Sequence, residues 1–341
     1  MKSKYIYMIA TLLLAIFLFF TFIASGALGV FAKEKSVDGQ TLNFIKWAEQ
    51  TVCTQALREA LELDIKNHGE GVRNIDAVRL LSLYSAKHGG NYKSYKKGDL
   101  EDINQRLKNG ESDDQITKNT KLLSYYKEVY TAIFGEAVGI YTENVYDAEG
   151  ALVSTQQKYG LTLCSPIAKG YSYTHYDDFG SSRSYGYKRK HLGHDLLGSV
   201  GTPICAVESG IVVACGWNQY GGWRVGIRSF DGKRYWYYAH LKKGHPYNDI
   251  YEGKIVDAGE VIGYLGMTGY STKEDTNNID TPHLHLGLQI IFDESQKDGP
   301  NQIWLDMYAI TDFLSAYKSE VYSKDGEKYS KLTKTPANAP D

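Results

Sequence analysis

The 341-residue sequence lacks an excess of charge of either sign. It carries 38 lysines and arginines against 40 aspartates and glutamates, a formal net charge of -2, and no long block of like charge. Proteins that bind nucleic acid usually concentrate Lys and Arg on one face or in one stripe. The charge balance therefore argues against a nucleic-acid partner. Internal repeats and low-complexity tracts are also missing, and the 43% apolar and 23% charged content is typical of a globular chain of about two domains.

Cysteine is scarce as well. The four cysteines, Cys53, Cys164, Cys205 and Cys215, would permit two disulfides in an oxidising compartment. They are too sparse for a disulfide-built domain of this size, and no two of them have the C-x-x-C spacing of a zinc knuckle. Because three of them lie in β-like runs, we interpret them as small buried apolar side chains.

One long uncharged segment is present, from Tyr5 to Ala32, and Lys2 and Lys4 precede it. A membrane-spanning helix needs about 20 apolar residues, whereas the apolar core of a secretory signal peptide has about 7–15. The length favours an uncleaved single-pass anchor, with a cleaved signal as the alternative, because small residues near 24–27 and at Ala32 resemble cleavage sites. Lysines on the short N-terminal side predict in both cases that the chain after Ala32 lies outside the cytoplasm.

The chain between about residues 40 and 135 has apolar residues at three- and four-residue spacing, which predicts a small helical module. No cluster of His, Cys or paired carboxylates in this stretch forms a recognisable site, so a spacer or an interaction module is favoured. After Gly135 the sequence changes to short β-branched and aromatic runs broken by turns, which predicts an antiparallel sheet or sandwich.

The predicted fold class is therefore α+β with an N-terminal transmembrane helix. Residues 1–34 are expected to form a cytoplasmic tip and transmembrane anchor, and residues 35–137 the helical module. Residues 138–322 are expected to form a mainly antiparallel β catalytic domain whose last segment, 303–322, is helical. The Lys-, Pro- and Ala-rich tail, 323–341, is expected to be disordered.

Five of the nine histidines lie in three short motifs: HLGHD at 191–195, YYAHL at 237–241 and PHLHLG at 282–287. His283 and His285 are two apart in a β-like run, so both side chains leave the same face of a strand. A catalytic zinc ion needs three protein ligands and one position open for water. One imidazole of H-x-H with the His and Asp of H-x-x-x-D supplies that number, and leaves two histidines for acid–base and electrostatic roles.

These motifs resemble those of the M23 family of metalloendopeptidases, the lysostaphin-like or LytM-like peptidases. The resemblance runs from about residue 161 to 292 and keeps the family's order and spacing. It rests on H-x-G-x-D at 191–195, GTPICAVESG at 201–210, Y-x-H-L at 238–241, GKIVDAGEVIGYLGMTG at 253–269, the HLHLG motif, and Asp178-Phe179-Gly180 with Arg183, which resembles the F-G-x-R that opens such domains.

The resemblance implies a zinc endopeptidase that hydrolyses peptide bonds in peptidoglycan cross-links or stem peptides. By this resemblance the metal ligands are His191, Asp195 and His285, with Zn²⁺ as cofactor. His283 is implied as the general base and His240 as the group that stabilises the oxyanion. The neighbouring His194 is expected to point away from the metal.

A different class of function stays open, because domains of this type also occur as catalytically silent wall-binding or assembly scaffolds. The presence of every ligand and of both auxiliary histidines favours the enzyme.

The expected location is the cell membrane with the catalytic domain outside the cytoplasm, or secretion if the apolar segment is cleaved. One departure from the common pattern is an insertion at 270–282, directly before His283, which we expect to line the substrate groove.

Overall fold

The computed structural model describes residues 34–35, 41–42, 44–184, 188–299 and 301–340. The apolar segment Tyr5–Ala32, expected to be a membrane anchor, lies outside the described residues. Within those residues we find no helix whose length and apolar character would suffice to cross a bilayer. The chain divides into two compact units, residues 1–48 with 292–303, and residues 49–291 with 304–341.

The first unit contains a short antiparallel pair, β1 (Glu34–Lys35) and β2 (Thr41–Leu42). Its second segment holds a 3₁₀ turn, Glu294–Gln296, whose start is capped by the Asp293 carboxylate. The Gln296 side-chain amide donates to the carbonyl of Ile45 at 2.8 Å and so joins the two segments of this unit.

The second unit begins with helices that the periodicity predicts. They are α1 (Thr54–Gly69), α2 (Ala77–His88), α3 (Asp99–Lys108), α4 (Asp113–Ile116) and α5 (Thr120–Phe134). Asp76 caps α2 by accepting a hydrogen bond from the Arg79 N–H at 2.7 Å. Gly89 ends the same helix in the left-handed conformation, with φ of 62°, which glycine adopts without steric cost. The buried face of α2, including Leu80 and Tyr84, packs toward α5.

The strands follow in short runs, and ten pairings between them are antiparallel. They are β3 (Val138–Tyr146), β4 (Leu152–Leu161), β5 (Ser182–Ser184), β6 (Lys188–Lys190), β7 (His194–Leu197), β8 (Pro203–Cys205), β9 (Gly210–Asn218), β10 (Gly222–Ser229), β11 (Arg234–Ala239), β12 (Ile255–Val256), β13 (Val261–Tyr264), β14 (His283–Ile290), β15 (Ile303–Trp304), β16 (Val321–Lys324), β17 (Glu327–Ser330) and β18 (Leu332–Pro336). The fold of the described residues is thus mixed helix and antiparallel sheet, as the sequence predicts.

The main sheet has the order β12-β9-β10-β11-β14, and β7 also pairs with β14. Its centre is apolar because alternate residues such as Val225, Trp236 and Leu284 point into the core and are buried. Smaller sheets surround it: β8 with β13, β5 with β6, β16 with β17, and a three-stranded sheet of order β18-β3-β4.

The register of three strands brings the motif residues together. Asp195 of β7 lies directly opposite His285 of β14, which in turn lies opposite Ala239 of β11. His240 follows immediately after Ala239. Residues that are more than 40 positions apart in the chain are therefore neighbours at one end of these strands.

The C-terminal part of the chain corrects two expectations. The segment 303–322 was expected to be one helix, but the helix there, α6 (Tyr308–Leu314), has only seven residues. The tail was expected to be disordered from residue 323, yet β17 and β18 lie within it. The tail is ordered because β18 satisfies its backbone groups on the free edge of β3, with Leu332 opposite Val145 and Pro336 opposite Tyr141.

Candidate metal centre and active site

Three side chains from the first and third motifs converge on one small volume. The His191 Nε2 lies 3.0 Å from Asp195 Oδ1 and 3.1 Å from His285 Nδ1, and the latter two atoms are 2.9 Å apart. These are the residues that the sequence indicates as ligands, and their donor atoms all lie within 4.8 Å of one another.

The donor set fits a zinc ion. Ligand atoms about 2.0–2.1 Å from a tetrahedral zinc lie about 3.3–3.4 Å from each other, close to the separations found here. Two imidazole nitrogens and one carboxylate oxygen are the donor types that zinc takes in catalytic sites. With three protein donors, a fourth tetrahedral position is left for a water molecule or a substrate.

Gly193 allows this close approach. A Cβ atom at this position would lie 2.5 Å from the His285 ring and 2.9 Å from the carbonyl oxygen of Leu286. The central glycine of the first motif is thus explained by the space that the third ligand occupies, since a side chain there would displace His285.

A second layer of charged groups holds the ligands. Asp178 Oδ1 lies 3.1 Å from His191 Nδ1, and the Arg183 guanidinium donates both to Asp178 and, at 3.1 Å, to Asp195 Oδ2. Because Asp178 accepts from Nδ1, the Nε2 of His191 is left to face Asp195 and His285. Sequence reasoning noted Asp178 and Arg183 only as part of an opening motif and missed this role.

The electrostatics favour an ionised Asp195 carboxylate and a neutral His285 imidazole. Burial opposes ionisation of Asp195, but its close contacts with His191 and His285 outweigh it and hold the pKa of Asp195 well below its usual range. Burial lowers the pKa of His285, although the Asp195 carboxylate opposes that shift. Neutral imidazole and carboxylate are the protonation states that metal ligation requires.

The other two motif histidines lie beside the ligands. His283 Nε2 is 3.7 Å from Asp195 Oδ1, and its ring centroid is 4.8 Å from that of His240. Each ring uses Nδ1 to donate to a backbone carbonyl at 2.8 Å, that of Thr281 for His283 and that of Thr268 for His240. In the neutral tautomer each Nε2 is then a proton acceptor.

His240 is held firmly in an unusual conformation. It is 5% exposed and has φ of 64°, a left-handed backbone that non-glycine residues seldom adopt outside functional sites. Burial, reinforced by the nearby His283 and His285, lowers the pKa of His240 well below its ordinary value. The ring is therefore neutral near pH 7.

His194 is not one of the three converging side chains. It is fully buried, and its Nε2 lies 2.7 Å from the Nδ1 of His175. Burial lowers the pKa of His194 to about 3, with His175 contributing. His175 itself stacks on Tyr308 at 4.9 Å. No sequence motif links positions 175 and 194, so periodicity and spacing do not predict this contact.

A cavity of about 350 Å³ adjoins the ligands. Its lining includes Asp195 and His283 on one side and Ile279, Asp280 and Thr281, the end of the inserted segment, on the other. The end of the insertion thus lines the cavity beside the three converging side chains.

Comparisons with known proteins agree with this geometry. Residues 189–298 match the model of Peptidase family M23. The chain is 35% identical over 172 residues to the L-Ala–D-Glu endopeptidase of Bacillus subtilis. The aligned residues make up 49% of this chain and 47% of that protein. It is 41% identical over 97 residues to lysostaphin of Staphylococcus simulans, covering 28% of this chain and 17% of lysostaphin.

The chain thus spans less than half the length of these relatives. A crystal structure from Ruminococcus gnavus, described as a candidate glycyl-glycine endopeptidase LytM, superposes with a TM-score of 0.49 at 23% identity, covering 79% of this chain and 92% of that one. Residues 189–298, which contain most of the motif residues, thus match Peptidase family M23.

Proposed function

We propose that the protein is a zinc-dependent endopeptidase that hydrolyses peptide bonds in the cross-links or stem peptides of bacterial peptidoglycan. The observation that carries this proposal is the triangle formed by His191 Nε2, Asp195 Oδ1 and His285 Nδ1, with edges of 2.9–3.1 Å. In the proposed enzyme these three atoms hold the zinc ion. When bound, such an ion polarises the scissile carbonyl and activates water as a nucleophile.

His283 is the proposed general base. Its Nε2 is free to accept a proton because its Nδ1 donates to Thr281, and it lies at the edge of the ligand triangle, 3.7 Å from Asp195. In hydrolysis the water oxygen bonds to the carbonyl carbon, its proton passes to Nε2, and the same proton then reaches the departing amine as the C–N bond breaks.

His240 is the proposed partner of the oxyanion. To donate a hydrogen bond there, its Nε2 must carry a proton, since Nδ1 is committed to the Thr268 carbonyl. Burial works against a resting imidazolium. We therefore propose that His240 becomes a donor by taking the second proton of the attacking water, the first having passed to His283, so that its Nε2–H then faces the negative charge that develops on the carbonyl oxygen.

The proposed substrate class rests on the relatives. One is named for a bond between an L- and a D-amino acid, and D-residues are characteristic of wall peptides. A silent scaffold is the alternative. It is disfavoured because a scaffold has no need to keep three metal-binding side chains and two further imidazoles converged on one volume.

Incubation of the purified full chain with isolated cell walls tests the function. Mass spectrometry of the released fragments is expected to reveal new peptide termini, which disappear with a chelator and with Asp195→Ala. Binding to walls without any new terminus would support the scaffold instead.

We further propose that the apolar segment 5–32 tethers the enzyme outside the cytoplasm. This rests on its length and lack of charge alone. A tethered protein is expected to resist high-salt washing and to be released by detergent. Recovery from the medium of a chain starting between residues 24 and 33 would show a cleaved signal.

A further inference from the structure

A second cavity, of about 680 Å³, lies on the sheet β18-β3-β4 and the segment 317–320 that follows α6. It shares no residue with the metal centre, and none of its lining residues falls within 189–298, the part of the chain matched to the peptidase family. Ligand sites in proteins commonly have about 300–1,000 Å³. The cavity therefore has the size of a binding site and no role in the proposed hydrolysis.

The cavity wall carries an excess of positive charge. Four lysines line it, at positions 169, 318, 331 and 334, against two glutamates, Glu143 and Glu320, so the lining has a net charge of +2. The glutamates are already engaged. Glu320 pairs with Lys169 at 2.5 Å and Lys331 at 3.9 Å, and Glu143 pairs with Lys158 at 2.5 Å.

Lys334 is a buried cation without a counter-ion among the described residues. It is only 8% exposed. Its Nζ donates to the carbonyls of Leu161 at 2.6 Å and Leu163 at 3.1 Å, and lies 5.3 Å from the centre of the Tyr141 ring. An ammonium has three donors, so one N–H remains after these two bonds. Buried charges are normally paired, because the desolvation of an ion is costly.

Lys318 is similar. Its Nζ donates to the Tyr171 carbonyl at 3.0 Å and lies 4.9 Å from the Tyr173 ring centre. Burial lowers its pKa, and no carboxylate lies within 4 Å of it in the described part of the chain. Two lysines that line one cavity thus have no carboxylate within 4 Å among the described residues, although Glu143 lies opposite Lys334 in the register of β3 and β18.

We propose that this cavity binds a phosphate ester carried on a short carbon chain. Lysine acts as a point charge suited to phosphate, whereas planar carboxylates are better matched by arginine, which the cavity lacks. A charge of +2 matches one dianionic monoester or two successive diesters. Tyrosines at 141, 146, 159 and 317 add apolar faces on which a carbon chain can pack.

Calorimetric titration of the full chain in detergent tests the proposal, with inorganic phosphate, glycerol 3-phosphate, a short glycerol-phosphate oligomer and glucuronate as separate probes. The two glycerol phosphates are expected to bind more tightly than inorganic phosphate, and glucuronate least. Added salt should weaken binding because charge dominates it. Equal binding of glucuronate, or inorganic phosphate binding as tightly as its esters, would overturn the assignment.

Lys318→Gln and Lys334→Gln are each expected to weaken binding at least about tenfold, since each removes a hydrogen bond from a charged donor to the phosphate. Lys97→Gln, which changes an exposed lysine outside the cavity, is the control and should bind like wild type. If Lys334→Gln fails to fold, the pair Lys318→Gln with Lys331→Gln supplies the test. Unchanged affinity in the folded lysine variants would refute the site.

Hydrolysis of soluble stem peptides should be equal in all these variants, because the cavity shares no residue with the metal centre. A wild-type chain that binds the phosphate esters but cuts no peptide would refute the proposed function and leave this site standing. A chain that cuts the peptides but binds none of the phosphate esters would refute this site and leave the proposed function standing.

Discussion

Asp178 accepts a hydrogen bond from the Nδ1 of His191 at 3.1 Å, although the two residues belong to separate loops before β5 and β7. This contact determines which nitrogen of His191 is free, and Arg183 joins the same carboxylate to Asp195. The geometry of the candidate metal centre therefore depends on a residue that is not itself a ligand.

Asp178→Ala is accordingly expected to weaken zinc binding about 10–100-fold, because outer partners of metal-bound histidines usually contribute that much. Competition with a chromogenic chelator measures the affinity. Asp280→Ala is the matched control, since Asp280 lines the adjoining cavity but makes no contact with His191. Equal loss in both variants would mean that charge in the groove, not the orientation of His191, is responsible.

Alanine variants of the two histidines of the H-x-H motif are expected to differ in metal content. The native chain should hold about one zinc, and His285→Ala should lose both metal and activity because it removes one of three ligands. His283→Ala should keep the metal and lose about 10²–10⁴ in kcat, the usual contribution of a general base. Metal analysis and peptide hydrolysis measure the two properties. Equal loss of zinc would reverse the assignment of roles.

His240→Ala is expected to retain zinc and to lower kcat by about 10²–10³, the usual cost of removing an oxyanion donor. The KM for a stem peptide should change much less, because the contact forms as charge develops. A variant that raises KM with kcat unchanged would show that His240 binds the substrate and does not stabilise the transition state.

Much of the candidate site was predictable because its residues sit in short local motifs. Spacing of two in a strand is enough to place His283 and His285 on one face, and the family resemblance supplies the rest. The partnership of Asp178 with His191 was not predictable from periodicity, since it joins two loops whose relative position depends on the folded sheet.

The C-terminal strands escaped prediction for a related physical reason. β18 is polar and contains Lys334 and Pro336, so its local sequence favours a solvated tail. Its order comes from hydrogen bonds to β3, about 190 positions earlier in the chain, and such long-range pairing leaves no local pattern. By contrast, the helices between residues 54 and 134 were predictable because their apolar periodicity is local.

The buried ion pair of Arg234 and Glu208 offers a test of how the helices are held against the sheet. The Arg234 Nε lies 2.9 Å from Glu208 Oε2, and its Nη1 donates to the carbonyl of Ala132 in the last turn of α5 at 2.7 Å. Arg234→Met is expected to cost about 3–5 kcal/mol in the free energy of unfolding, because it leaves the Glu208 carboxylate buried without its partner.

The double variant Arg234→Met with Glu208→Gln should recover part of that loss, since the stranded charge is then gone, while Trp236 can still donate to the remaining side-chain oxygen. Lys108→Gln, which breaks the partly exposed pair with Glu70, is the control and should cost about 0–1 kcal/mol. Urea denaturation followed by tryptophan fluorescence and circular dichroism measures all three. A loss in Arg234→Met no larger than in Lys108→Gln would show that the buried pair does not hold α5 to the sheet.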